Sequence, residues 1–423
     1  MRTRLATAAA IAVAGLLAAG ASAASASVSA SQCAQVRAHR ELPAILALDP
    51  RPRAPRIFAM QFKQELGNVT TYAAFHTKIE CLIREDVVTH LARGRPNVVV
   101  FNEATGLMTL AIGSRGAAAR QAFGPGGAPG CEGQGFPCST LAALGAVTAA
   151  YSPQVAYYQS RFGSMGLTAA WVAATDTLVR GFMDTFSDLA RRYHIYLIAS
   201  SYQAPFREST DPADIAVLHD PDYPAPSSVY VATSPNVYDE VFMWAPRDVR
   251  STGAEPLRNV VASNLKVPLT PLEGELGFAT GPDGGPDAIA NLRPYRIPGT
   301  GMRVGFATSA PAFVYGTPPA GTDPCSDVTQ YYMRCLDRLG ANVVIQDEAN
   351  DGRWTGTDAD PSEQWQPLSW MASTYRAVSD PTVHFAYNVT AMMVGNLADL
   401  PFDGQTAITQ RGLRGRGCHY IGN

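Results

Sequence analysis

Glu103 closes the run Asn97-Val98-Val99-Val100-Phe101-Asn102. A carboxylate at the end of so apolar a segment is partly desolvated, which raises its pKa and suits a general base. A solvated loop residue or a helix cap is the other reading of its position alone. Lys266 stands in Asn264-Leu265-Lys266-Val267-Pro268-Leu269. Lysine is sparse in this chain: only Lys63, Lys78 and Lys266 occur among 33 basic residues. An indifferent basic position would therefore be arginine, and a lysine here points to a need for a compact ammonium. Such a group can stabilise an oxyanion. Chance is the competing account, because the other two lysines occupy ordinary sequence surroundings. Glu273 and Glu275 follow closely in Pro271-Leu272-Glu273-Gly274-Glu275. Either could orient Lys266 or accept a proton, and either could equally lie in a solvated turn.

The elements that must position these residues read as an alternation of strands and helices. Arg56–Gln61 reads as a first strand, and apolar residues at helical spacing (Ala74, Ile79, Leu82, Val87, Leu91) mark a helix over 70–94. Asn97–Phe101 is a β-branched run typical of a strand buried on both faces. A helix is expected over 172–192, and strands over Ile195–Ser200 and Val237–Trp244. Further on come a strand at Arg303–Thr308, a helix at Asp327–Leu339 and a strand at Asn342–Gln346. A helix and a strand follow at 366–379 and 382–388. Repetition of β-α-β argues for an α/β sheet layered with helices. In such sheets the chemistry sits at the carboxyl ends of strands, where Glu103, Ser309 and the Asp347–Asp351 stretch all fall. No fixed-period repeat is present.

Composition narrows the function classes. Hydrophobic residues make up 46% of 423, enough for a substantial core. The formal net charge is -3, and no basic stripe exists to hold a phosphate backbone, so nucleic acid is not an expected partner. Arg2 and Arg4, the apolar run 6–21 and the small residues Ala21–Ala26 read as a secretory signal peptide over 1–26. No later segment is long and apolar enough to span a bilayer. Residues 27–54 read as a leader, and 55–415 as a single domain carrying a Gly/Ala/Ser-rich insertion at 107–170. The expected location is secreted or extracytoplasmic, where cysteines favour disulfides. Cys131 with Cys138, and Cys325 with Cys335, are the pairs that spacing suggests. Cys33, Cys81 and Cys418 remain, and the odd total of seven leaves at least one free or paired between molecules. There is no Cys-x-x-Cys pair and no HExxH, so neither zinc nor any other cofactor is expected.

Taken in order, these segments resemble the carbon–nitrogen hydrolase (nitrilase) superfamily over roughly residues 55 to 410. Asn97–Glu103 is similar to that family's strand ending in its general-base Glu. Asn236–Pro246, then Lys266 with Leu269 and Pro271, resembles the strand and loop that present the catalytic Lys. Glu273 or Glu275 would match the auxiliary Glu beyond it. Gly340-Ala341, the strand Asn342–Gln346 and Ala349-Asn350-Asp351-Gly352-Arg353-Trp354 resemble the family's Gly-Ala, strand, Asn-Asp-x-Trp stretch. Residues 370–388 with Arg376, and Phe402-Asp403-Gly404-Gln405, resemble its late helix, strand and turn. The Lys and Asn-Asp stretches look nearest to the apolipoprotein N-acyltransferase branch, whose membrane helices this chain lacks. Secreted amidases of the pantetheinase and biotinidase kind are another comparison.

The resemblance implies a four-layer α-β-β-α sandwich and a Glu-Lys-Cys triad that opens an amide or nitrile through an acyl-enzyme. Here the sequence departs from the pattern. The position after the strand Arg303–Thr308 is Ser309, not Cys, and the acidic residue expected two places later is Pro311. Cys325, opening the helix before Gly340-Ala341, is the rival nucleophile, because a helix N-terminus lowers a thiol's pKa. Three functions remain open at this point: an exported amide or nitrile hydrolase, an acyltransferase of the same fold, and a binding or scaffold protein without turnover. A small-molecule amide or nitrile is the implied substrate. Pairing of two subunits through their sheets is suggested by analogy.

Overall fold

The computed structural model describes residues 28–36, 55–63, 65–124, 127–134, 137–224, 226–350, 366–397, 399–402 and 404–412. The expected signal peptide, most of the expected leader, the Asp351–Trp354 stretch, Asp403 and Cys418 lie outside these residues.

Two five-stranded sheets form the centre. The first contains β1 (Arg56–Ala59), β2 (Asn97–Val100), β3 (Tyr196–Gln203), β4 (Tyr238–Trp244) and β5 (Val260–Leu265), in that spatial order. The β1–β2 and β2–β3 pairs are parallel, whereas β3–β4 and β4–β5 are antiparallel. The second contains β6 (Tyr295–Arg296), β7 (Arg303–Phe306), β8 (Val343–Glu348), β9 (Tyr387–Met392) and β10 (Ala407–Gln410), in the order β10-β9-β8-β7-β6. Its three central strands are parallel, and both edge strands are antiparallel.

The side-chain period of two on a strand separates three buried layers. Val98, Val100, Ile198, Val241 and Met243 of the first sheet meet Val304, Phe306, Val343, Ile345, Val389 and Ala391 of the second. The alternate residues of the first sheet, among them Val99, Leu197, Phe242 and Trp244, face outward. They pack on α1 (Tyr72–Leu82) and α2 (Asp184–Tyr193) through Phe75, Ile79, Phe186 and Leu189. On the far side, Val344 and Ala307 pack against Val328, Tyr332 and Leu336 of α3 (Val328–Arg338) and Ala377 of α4 (Gln366–Ser379). The architecture is thus the expected four-layer α-β-β-α sandwich. Continuous apolar runs such as Val98-Val99-Val100 arise because both faces of these strands are covered.

Residues 107–170 form helices at Ala117–Ala122, Cys138–Ala150 and Ser152–Phe162. Their Leu144, Val147, Tyr151, Val155 and Tyr158 join the core outside the first sheet. Among the described residues three disulfides are present: Cys33–Cys81, Cys131–Cys138 and Cys325–Cys335. Two are the pairs that spacing suggested. The first fastens the short helix Ala30–Val36 to α1, with Val28 packed beside it. Among the described residues no helix is long and apolar enough to cross a membrane.

Candidate active site

The site is assembled at strand ends in both sheets: Glu103, Lys266 and Ser309 follow carboxyl ends, and Asp239 lies near the amino end of the antiparallel β4. Glu103 lies just beyond β2, in a tight turn. Ala104 takes a left-handed φ of 57°, and its amide donates to Ser200 Oγ of β3 at 3.0 Å. The Gly106 amide donates to the Ser200 carbonyl at 3.1 Å. This approach requires glycine: a Cβ at position 106 would fall 2.4 Å from Ser201 Oγ. The turn therefore hooks onto β3 at two points, and it carries Glu103 into the interior.

Lys266 follows β5 directly. Its amide donates to the Asp239 carbonyl at 2.9 Å, extending the β4–β5 ladder by one step, and its carbonyl accepts from Gly281 at 2.9 Å. Glu273 belongs to the short helix Pro271–Glu275, whose cap is Thr270. The Thr270 hydroxyl and amide both donate to Glu273 Oε2 at 2.8 Å. That capping box occupies one carboxylate oxygen and fixes the rotamer, leaving Oε1 for the lysine.

The Lys266 ammonium donates to Glu103 Oε1 at 2.6 Å and to Glu273 Oε1 at 2.8 Å. It also lies 3.5 Å from Asp239 Oδ2. The four residues are 1–3% exposed. Tyr202 donates its hydroxyl to Glu273 Oε1 at 3.2 Å. The second oxygen of Glu103 accepts from the Ala349 amide at 2.6 Å, so this carboxylate bridges the two sheets.

The charges shape one another. Burial pushes Glu103 above the usual carboxylate range; Lys266 pulls it back and Glu273 pushes it up again. For Lys266 burial favours the neutral amine, but Glu103, Glu273 and Asp239 outweigh it and hold the ammonium well above its ordinary value. Glu273 is also penalised by burial, yet Lys266 and the Thr270 donors bring it below the ordinary value. The site thus keeps a permanent cation beside a carboxylate whose basicity is raised.

Ser309 occupies the turn after β7. Its φ of 57° and ψ of -116° lie outside every region that L-residues commonly occupy. Strain of this kind persists only where surrounding structure enforces it, and it clusters at functional sites. The hydroxyl does not cap the following Ala310–Phe313 turn, so the local backbone makes no use of it. The Ser309 amide donates to the Asp347 carbonyl at 3.1 Å. Thr308 donates to Asp347 Oδ1 at 2.8 Å. Ser309 and Glu103 are therefore held by the same short stretch, Asp347–Ala349, one through Asp347 and the other through Ala349. Burial raises Asp347 to about 7, and Glu103 adds to the shift.

Two sequence candidates fall away. Cys325 is bonded to Cys335, so no thiolate is available there; its place is a 3-10 turn tied back onto α3. Glu275 is exposed at the end of the helix that buries Glu273. The capping geometry explains the choice between the two, because only the third helical residue can reach back to the cap. Sequence reasoning missed Asp239 and Tyr202, and it placed the Asp347–Asp351 stretch at a strand end without singling out Asp347. A signal for Asp239 exists: it shares the inward period-two face of β4 with Val241 and Met243, where an acid is out of place.

Comparison with known proteins adds the following. No family model matches the chain, and no curated protein matches it. Among solved structures it is similar to a cysteine-to-alanine variant of the nitrilase-superfamily amidase of Nesterenkonia AN1. The identity is 13%, the TM-score 0.41, and 89% of each chain is covered. It is similar too to a carbon–nitrogen hydrolase from Helicobacter pylori G27, at 10% identity and a TM-score of 0.41, covering 84% of this chain and 81% of that one. A further structure of the Nesterenkonia amidase, carrying acrylamide added at its active-site cysteine, has 13% identity and a TM-score of 0.38, with 87% and 89% covered.

Proposed function

We propose that this protein is an exported hydrolase of a non-peptide C–N bond, in an amide or nitrile, with Ser309 as nucleophile, Glu103 as general base and Lys266 as the cation that stabilises developing negative charge. The observation that carries the reading is the buried Glu103–Lys266–Glu273 cluster, joined through Asp347–Ala349 to a serine in an enforced, rare backbone conformation.

For an amide the steps balance as follows. The Ser309 hydroxyl passes its proton to Glu103 as its oxygen bonds to the carbonyl carbon. The Lys266 ammonium stabilises the resulting oxyanion. The C–N bond breaks, Glu103 returns the proton to the leaving amine, and an ester remains on Ser309. Water then repeats the sequence, giving a carboxylic acid and free serine. Glu273 holds the ammonium in place and keeps it charged. Three disulfides support the exported part of the reading, since such bonds persist in oxidising compartments.

Intact-mass measurement during incubation with a panel of small amides and nitriles tests this. A covalent adduct of acyl mass is expected on the unmodified protein and on Cys325→Ala, and none on Ser309→Ala. An adduct that survives in Ser309→Ala rejects that nucleophile. Complete absence of adduct and product across the panel favours the binding-protein alternative.

A further inference from the structure

Asp239 is the one member of the cluster without a hydrogen-bond donor. It is 1% exposed and faces the Glu103 carboxyl, and neither of its side-chain oxygens accepts from an N–H or hydroxyl donor among the described residues. Lys266 Nζ is 3.5 Å away, longer than a good hydrogen bond, and two of its three N–H donors go to Glu103 and Glu273 at 2.6 and 2.8 Å. One oxygen from each of Glu103, Asp239 and Glu273 lies within 4.8 Å of the others. Three buried carboxylates therefore surround one buried ammonium. Full ionisation would leave two uncompensated negative charges in the interior, which burial makes prohibitive. One proton must be held among them. Glu273 accepts from Lys266 and twice from Thr270, and Glu103 accepts from Lys266 and Ala349. Bonds of that kind favour the charged form. Asp239 has none.

We propose that Asp239 is held as the neutral carboxylic acid and donates its O–H to Glu103, acting as a positioning residue that keeps Glu103 ionised and aimed. Two like carboxyls sharing one proton separate into an acid and a base. Asp239 takes the acid role because it alone lacks donors. The titratable groups that face it are Lys266, Glu103 and Glu273, with Tyr202 beside Glu273. Burial raises Asp239 well above its ordinary value; Lys266 opposes this, and Glu103 and Glu273 reinforce it. The role in catalysis rests on the proposed hydrolase reading, whereas the protonation itself does not.

Infrared difference spectroscopy of the full folded chain, with no substrate present, tests the protonation directly. The spectrum of the unmodified protein minus that of Asp239→Asn at neutral pH is expected to contain a protonated-acid carbonyl band. That band should shift on 13C labelling of aspartate carboxyls and stay in place on labelling of glutamate. A band that moves with the glutamate label puts the proton on Glu103 and overturns the proposal. So does a difference spectrum that contains only carboxylate bands. Should Asp239→Asn not fold, Glu103→Gln serves as the second reference. Removing that charge should let Asp239 ionise against Lys266, so the same aspartate-labelled band should be lost; its persistence would also refute the assignment. Where turnover is found, Asp239→Asn should move the acid limb of the kcat/KM pH profile, which a merely structural residue would leave in place.

Discussion

Lys266 is the residue on which the site's charge balance depends. Removing it by Lys266→Met would leave Glu103, Glu273 and Asp239 facing one another without a cation. Breaking a buried pair in this way typically costs about 3–5 kcal/mol. We expect a loss of that order in urea unfolding, together with loss of any adduct on Ser309. A smaller effect is expected for Thr270→Ala, where loss of the capping hydroxyl should cost about 1 kcal/mol and leave Glu273 Oε2 held by the residue-270 amide without the hydroxyl. Asp347 gives a pH signature. Its carboxyl is raised from 3.8 to about 7 in the folded protein, so the native state keeps a proton that the unfolded chain releases. Its contribution is fully present below about pH 4 and is lost as pH rises towards about 7. The urea midpoint of Asp347→Asn should therefore fall less over that window than that of the unmodified protein. Glu103 and Lys266, which the structure brings together, were legible in the sequence as candidates, because an acid after an apolar strand and a rare lysine both stand out. Asp239 was passed over: an acid on the inward face of an alternating strand is a signal, but the groups that it faces come from 266 and 103, far away in sequence.

At the scale of elements, the strongest periodicities gave the right answer. The α4 helix begins and ends where its sequence pattern does, β2 was evident from its β-branched run, and β3 overlaps the strand expected over Ile195–Ser200. The strand β5, Val260–Leu265, was missed because Ala262, Ser263 and Asn264 interrupt its apolar pattern. It is an edge strand made regular by pairing with β4, a tertiary effect that local propensity does not carry. The helices of 107–170 were obscured by Gly, Ala and Ser, which read as loop until their few large residues find a common core. The turn after β2 yields a prediction of its own. Gly106→Ala would press a methyl group onto Ser201 and Phe182, and such overpacking typically costs about 1–3 kcal/mol. Thermal or urea unfolding would read it, and the displaced Glu103 should lower adduct formation more than Thr270→Ala does.

Across the whole molecule, the two sheets contribute unequal parts to one site. The first supplies Glu103, Asp239 and Lys266 from strand ends, and the second supplies Ser309 and the Asp347–Ala349 stretch. The inter-sheet core of Val98, Val100, Ile198, Val241, Met243 and their counterparts therefore sets the separation between the two halves of the candidate site. Substitution of Ser309 by cysteine keeps this frame and supplies a stronger nucleophile. Faster adduct formation in Ser309→Cys than in the unmodified protein is expected by the same mass measurement.

The bond between Cys33 and Cys81 has an outcome for how the protein would respond to proteolysis. Any protease that cuts the backbone once between those two cysteines produces two pieces that stay covalently joined. The nicked protein would migrate as one band on a denaturing gel without reductant and as two bands with it. The short helix around Cys33 would remain fastened to α1 after the cut. Severing that bond instead, by Cys33→Ser with Cys81→Ser, removes a closure spanning 48 residues, worth about 4 kcal/mol on the chain-entropy account.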